Sequence, residues 1–112
     1  QERNLRIRLG HGLLNLGELR VLTGDAAGAR AAFDACLQVR QALVDAGADA
    51  PARLTELAWA QARLAQFGDD PAARWAAVES LLVRADAALP LGDLEEELLT
   101  VARIVGASRA LR

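Results

Sequence analysis

Three features predict an all-α chain built from stacked helical hairpins. Two segments match at a spacing of 44 residues: Val21-Leu22-Thr23-Gly24-Asp25, followed by Ala29 and Leu37, and Ala65-Gln66-Phe67-Gly68-Asp69, followed by Ala73 and Leu81. Each copy reads as helix, Gly-Asp turn, helix, and a hairpin that cannot bury its own apolar face is stacked on another. Strand signals are lacking, since β-branched residues are few, Tyr is absent and no period-2 alternation occurs. Between short breaks containing Gly or Pro, apolar residues recur at helical spacing.

Helix one is expected over about Glu2–Thr23, where Leu5, Leu9, Leu13, Leu16 and Leu19 keep that spacing. Gly10, Gly12 and Gly17 each cost about 1 kcal/mol against Ala in a helix. Three of them point to close helix–helix approach or to a looser N-terminal end. Gly24 ends the helix, because Gly accepts the left-handed terminal conformation, and Asp25 caps the next. Ala29, Ala32, Phe33, Cys36, Leu37 and Leu43 or Val44 form the apolar stripe of helix two, with Phe33 expected between helices one and two. Asp49 is the expected cap of helix three, with Pro51 in its first turn, where a missing N–H costs nothing. Leu54, Leu57, Ala58, Leu64 and Ala65 carry helix three towards Phe67 and Gly68. Asp69 or Asp70 caps helix four, which carries Trp75, Val78, Leu81, Leu82 and Ala85 to Leu89. After Pro90-Leu91-Gly92, Asp93 with Glu95, Glu96 and Glu97 loads the N-terminus of helix five with the negative charge its dipole favours.

One domain over residues 1–112 follows, with hairpin one at about 2–47, hairpin two at about 49–90 and a final helix at about 93–111. The final helix is either a terminal cap or the first half of a third repeat. Such a length holds one core and no separate catalytic domain. Apolar residues make up 53% of the chain, against the roughly 45–50% usual for soluble domains, and mean hydropathy is +0.13. Some apolar surface is therefore expected to be covered by something outside the chain. Met is absent, so Gln1 is read as the start of a piece of a longer protein. All 13 basic residues are Arg, a bias that suggests GC-rich coding.

Net charge is −2, which disfavours nucleic-acid binding through a broad basic face. No uncharged apolar run approaches the about 18 residues that cross a bilayer. The single Cys36 cannot close an internal disulfide, so a cytoplasmic protein is expected.

Leu16-Gly17, Gly24-Asp25, Ala29, Phe33 and Leu37 carry a likeness to a known pattern: the first hairpin resembles a tetratricopeptide repeat. In that family small residues let paired helices approach, and an aromatic on the second helix fills the gap beneath them. Gly17, Ala29 and Phe33 stand at those places, with Cys36 where Ala is usual. The second hairpin departs: Gln61 replaces the helix-one Gly and Ala77 the aromatic, while Gly68, Ala73 and Leu81 persist, and Trp75 is a candidate to fill the volume that Ala77 leaves. The long spacing is similar to tetratricopeptide-like arrays attached to bacterial STAND-type NTPases, CHAT-type proteases and LuxR-type regulators. The resemblance implies a right-handed superhelix that binds a protein or peptide partner.

By helical phase, His11, Leu14, Asn15 and Glu18 of helix one, and Thr55, Trp59, Ala62 and Gln66 of helix three, are expected on the concave side as partner-binding residues. Trp59 is the natural anchor, since buried aromatics dominate binding energy; packing between repeats is its other role. In some tetratricopeptide domains basic and Asn side chains clamp a peptide carboxylate, but Leu14 and Glu18 stand at two of those places. Catalysis, metal and cofactor binding are not expected. His11 is the only histidine, and its one possible thiol partner, Cys36, sits on an apolar stripe. Ser and Thr hydroxyls have no second His to activate them. Asp69-Asp70 and Glu95-Glu96-Glu97 lack the alternating oxygens of a Ca²⁺ loop, and Gly10-x-Gly12 follows no strand. The expected function is a protein–protein interaction module in a larger bacterial signalling or regulatory protein. The alternatives are a structural segment packed on its parent enzyme or neighbouring subunits, and a homo-oligomeric helical bundle.

Overall fold

The computed structural model describes residues 2–48, 50–68 and 70–110. Five helices follow one another: α1 Glu2–Leu22, α2 Ala26–Asp45, α3 Pro51–Ala65, α4 Pro71–Ala88 and α5 Asp93–Ala110. No strand occurs among the described residues.

The breaks follow local chemistry. Gly24 and Gly68 both take φ +82°, a left-handed turn that a Cβ would make costly. Asp25 then accepts a hydrogen bond from the Gly28 amide at 2.9 Å and starts α2. Asp70 does the same for the Ala73 amide at 3.4 Å, ahead of Pro71 and α4. The other candidate, Asp69, lies outside the described residues, as does the expected cap Asp49. Ala50 takes the N-cap position of α3 without a side-chain bond, and Pro51 follows it.

The direction of each helix follows from which residues meet. A Cβ on Gly10 would touch Arg40, and one on Gly17 would touch Phe33; Arg20 donates to the Gly28 carbonyl. One number climbs as the other falls, so α1 and α2 are antiparallel. The same reversal relates α2 to α3, where Phe33 packs with Leu64 and Arg40 reaches Glu56. It relates α4 to α5 as well, where Trp75 lies by Val105 and Glu79 by Arg103. By contrast, His11 meets Glu56 and Glu18 meets Arg63, each pair 45 residues apart. A constant difference means that α1 and α3 run parallel, side by side.

Two apolar clusters meet at Leu37. The first hairpin holds Phe33, fully buried, between α1 and α2 as expected. A Cβ on Gly17 would lie 2.4 Å from Phe33 Cε1, so only Gly lets α1 come this close. Phe67 leans on the same ring at 6.0 Å between centroids. Gly10 serves Arg40 in the same way, whereas Gly12 faces open space. The larger cluster joins Leu54, Leu57 and Ala58 of α3 to Val78, Leu81, Leu82 and Ala85 of α4.

One expectation is corrected. Trp75 does not fill the space beside Ala77: it packs on the larger core cluster and lines a groove with Ile104 and Val105 of α5, while Gln61 and Ala77 share a different depression. On α5, Leu98 turns inward with Leu99 and Ala102 because α4 covers that flank, while Val101 and Ile104 stay exposed.

Candidate interaction surface

α1, α3 and α5 share one face of the molecule, tied together by polar side chains. Glu18 Oε1 accepts from Arg63 Nη2 at 2.9 Å and from its Nε at 3.2 Å. The Arg63 guanidinium carbon lies 5.5 Å from the centre of the Trp59 ring, within cation–π range. Trp59 Nε1 in turn donates to Glu95 Oε2 at 3.1 Å. Glu18, Arg63, Trp59 and Glu95 thus form one ladder from α1 across α3 to α5. The indole is half-buried, its body on the core and its N–H on a carboxylate.

A second tie lies nearer the start of α3. His11 Nε2 and Glu56 Oε2 are 2.9 Å apart. Arg53 Nη2 donates to the same oxygen at 3.0 Å. Its Nε is 2.7 Å from Glu56 Oε1 but out of line for a hydrogen bond, so that contact is Coulombic. Beneath them Arg40, only 3% exposed, donates to the Glu56 carbonyl at 2.7 Å. A buried cation is costly unless it is bonded, which makes this contact a strong fix on how α2 meets α3.

The expected partner-binding residues divide. His11, Glu18 and Trp59 lie in these ties, and Asn15 is exposed on the α1 turn between them. Thr55 is half-buried, donates to the Ala52 carbonyl at 2.9 Å and lines a shallow depression with Glu95 and Pro90. Gln66 is exposed and shares a depression with Glu18, Leu22 and Arg63. Leu14 and Ala62 are placed differently from their helical phase. Leu14 packs on Ala29, Phe33 and Leu64, and Ala62 is buried among the α3–α4 apolar residues. Ala62 offers no side chain to a ligand in the groove, and Leu14 only a half-buried one. Arg63, Glu56 and Glu95 complete the surface and were not singled out from the sequence. The signal for two of them was there: His11/Glu56 and Glu18/Arg63 are complementary pairs 45 residues apart, one more than the repeat spacing.

Cys36 is fully buried, and its Sγ donates to the Gly10 carbonyl at 3.3 Å. Burial pushes the thiol pKa up, Arg40 pulls it down and Glu56 adds to the rise. A buried, protonated thiol is a poor nucleophile, and the His11 ring is directed at Glu56 instead. No group of three or more His, Cys, Asp or Glu is placed to hold a metal ion among the described residues. No helix among them is long and apolar enough to cross a membrane. A groove of about 640 Å³ lies between the start of α4 and the end of α5, lined by Asp70, Pro71, Trp75, Ile104, Val105 and Ser108.

No family model, no curated protein and no solved structure matches this chain.

Proposed function

We propose that this chain is a tetratricopeptide-like array that binds a protein or peptide segment along the face shared by α1, α3 and α5. The observation that carries this reading is the Glu18–Arg63–Trp59–Glu95 ladder across three helices. A surface of this kind is pre-organised, because neighbouring helices already hold its side chains, and pre-organisation lowers the entropy cost of binding. Carboxylates on both sides of an Arg–Trp pair suit a partner that offers polar backbone and a basic or aromatic side chain. The parallel register of α1 and α3 supports stacking of the second hairpin on the first, and the tetratricopeptide likeness implies that such stacking winds into a right-handed superhelix. The module works without chemistry of its own, in the cytoplasm, inside a larger bacterial signalling or regulatory protein. Net charge −2 supports a protein rather than a nucleic-acid partner.

Panning a phage-displayed peptide library against the chain tests this, with Trp59→Ala and Arg63→Glu as counter-targets. Peptides enriched on the parent chain are expected to lose about 30-fold or more in affinity for Trp59→Ala, the scale of an interface hot spot, while helicity by circular dichroism stays unchanged. No enrichment, or binding indifferent to both substitutions, would overturn the reading.

A further inference from the structure

The face shared by α1, α3 and α5 has an apolar recess at one end. His11, Asn15, Glu18 and Leu22 follow a 4-3-4 spacing, so Leu22 ends the stripe of α1 whose His11 and Glu18 meet α3. Leu22 is 83% exposed, and Val21 beside it 46%. The Phe33 ring forms the floor, and Glu18, Arg63 and Gln66 complete the walls of a depression of about 320 Å³. The ring sits there because Gly17 has no side chain to hold α1 away from it.

The chemistry of the recess is selective. Glu18 and Arg63 neutralise each other across 2.9 Å, which leaves three apolar side chains and one neutral amide. A carboxylate or ammonium seated on Val21, Leu22 and Phe33 would give up its hydration for no bond, whereas an apolar group gives up nothing of the kind. The volume stands at the small end of the roughly 300–1,000 Å³ range of ligand sites, which suits one large side chain. Gln66 is exposed at the rim, and its amide both donates and accepts, as the backbone of a partner requires.

Recess and ladder are continuous, since Glu18 and Arg63 belong to both. Trp59 and Gln66 stand seven residues apart on α3, about 10 Å along the helix. An extended segment in the polyproline II form returns a side chain to the same side every three residues, about 9 Å on. A helical partner would span the same distance in seven residues, but its backbone groups are bonded to one another and have nothing for Gln66. At the Trp59 end, both Arg63 bonds fall on one oxygen of Glu18, and the Trp59 bond falls on one oxygen of Glu95. Each carboxylate keeps its other oxygen for a donor on the partner.

Resting on the peptide-binding reading of this face, we infer that the recess is its specificity pocket. The bound segment is extended, sets a basic side chain beside Trp59, and seats a large apolar side chain on Val21, Leu22 and Phe33 three residues away.

Sequencing the peptides that a random phage-displayed library yields on the chain is the first test. Lys or Arg is expected three residues from Leu, Ile, Met or Phe. One such peptide, synthesised with a fluorescent label, is then titrated by anisotropy. Replacing its apolar residue by Ala should weaken binding to the parent chain about tenfold or more, as the burial of a large aliphatic side chain implies. Val21→Gln/Leu22→Gln, at exposed positions and with helicity unchanged, should weaken the original peptide equally and bind its Ala version no worse than the parent chain does. Leu22→Met should bind like the parent chain. Peptides that lose affinity for Trp59→Ala, yet ignore both the double substitution and the loss of their own apolar residue, overturn the pocket and leave the peptide-binding reading standing. Enriched peptides with basic and apolar residues seven apart in a helical pattern overturn the extended segment, and the inference with it. A library with no enrichment overturns both readings.

Discussion

The two hairpins solve one packing problem with opposite distributions of volume. In the first, Gly17 on α1 faces Phe33 on α2, and the ring fills the space that the missing side chain leaves. In the second, the repeat-equivalent positions hold Gln61 and Ala77. The bulk has moved to the first helix, where Arg74 holds the Gln61 amide oxygen at 3.0 Å. The first solution is apolar and fully buried, closed further by Phe67 and Leu64. The second leaves Gln61 and Ala77 half-buried in a surface depression. The gap between paired helices is thus filled in two ways, by an apolar ring in the first hairpin and by a polar side chain in the second.

The most severe way to break the first arrangement is to empty it. Phe33→Ala is expected to cost about 3–5 kcal/mol, as large core deletions do, read by urea denaturation. A loss below about 1 kcal/mol would mean that the ring contributes little to the hairpin. Overfilling comes next. Gly17→Ala puts a methyl group within 2.4 Å of a fully buried ring, and about 1–3 kcal/mol is expected from overpacking. An unchanged denaturation midpoint would show that α1 shifts outward at little cost. The second hairpin gives a sharper test. Ala77→Phe alone is expected to destabilise by about 1–3 kcal/mol. Adding Gln61→Gly should recover at least about 1 kcal/mol of that, a coupling that contacting sites show. Purely additive losses would mean that the two hairpins do not share one packing rule. The smallest effect concerns the tie between repeats. Glu18 and Arg63 are 42% and 38% exposed, so solvent screens them, and Glu18→Ala should cost no more than about 0.5 kcal/mol. A larger loss would make the ladder structural rather than a surface held ready for a partner.

The helices and their breaks were legible because the breaks carry their own chemistry. Gly24-Asp25 and Gly68-Asp70 specify a turn and a cap locally, whatever the rest of the chain does. Phe33 was legible because its stripe is one-sided. Leu14 was not, because α1 is apolar around much of its circumference and no polar face fixes its rotation. Ala62 misled for a related reason, since Ala suits a groove floor and a core equally well. Arg40 reads as a solvated charge in sequence, and only the meeting of α1, α2 and α3 shows it bonded beneath Glu56. The Trp59–Glu95 bond depends on how far α5 slides along α3, a register set by α4 packing that no local pattern encodes.

Among the described residues, the main helix contacts join elements adjacent in the chain, with polar ties between helices one hairpin apart. That arrangement governs how the protein forms and comes undone. Contacts between chain neighbours close short loops, so folding is expected within milliseconds, with either hairpin able to nucleate. Opening should then start at the two ends and move inward, as in other quasi-linear arrays. α3, packed between α2 and α4, would exchange its amide hydrogens last, and α5, held mainly along α4, would exchange them first.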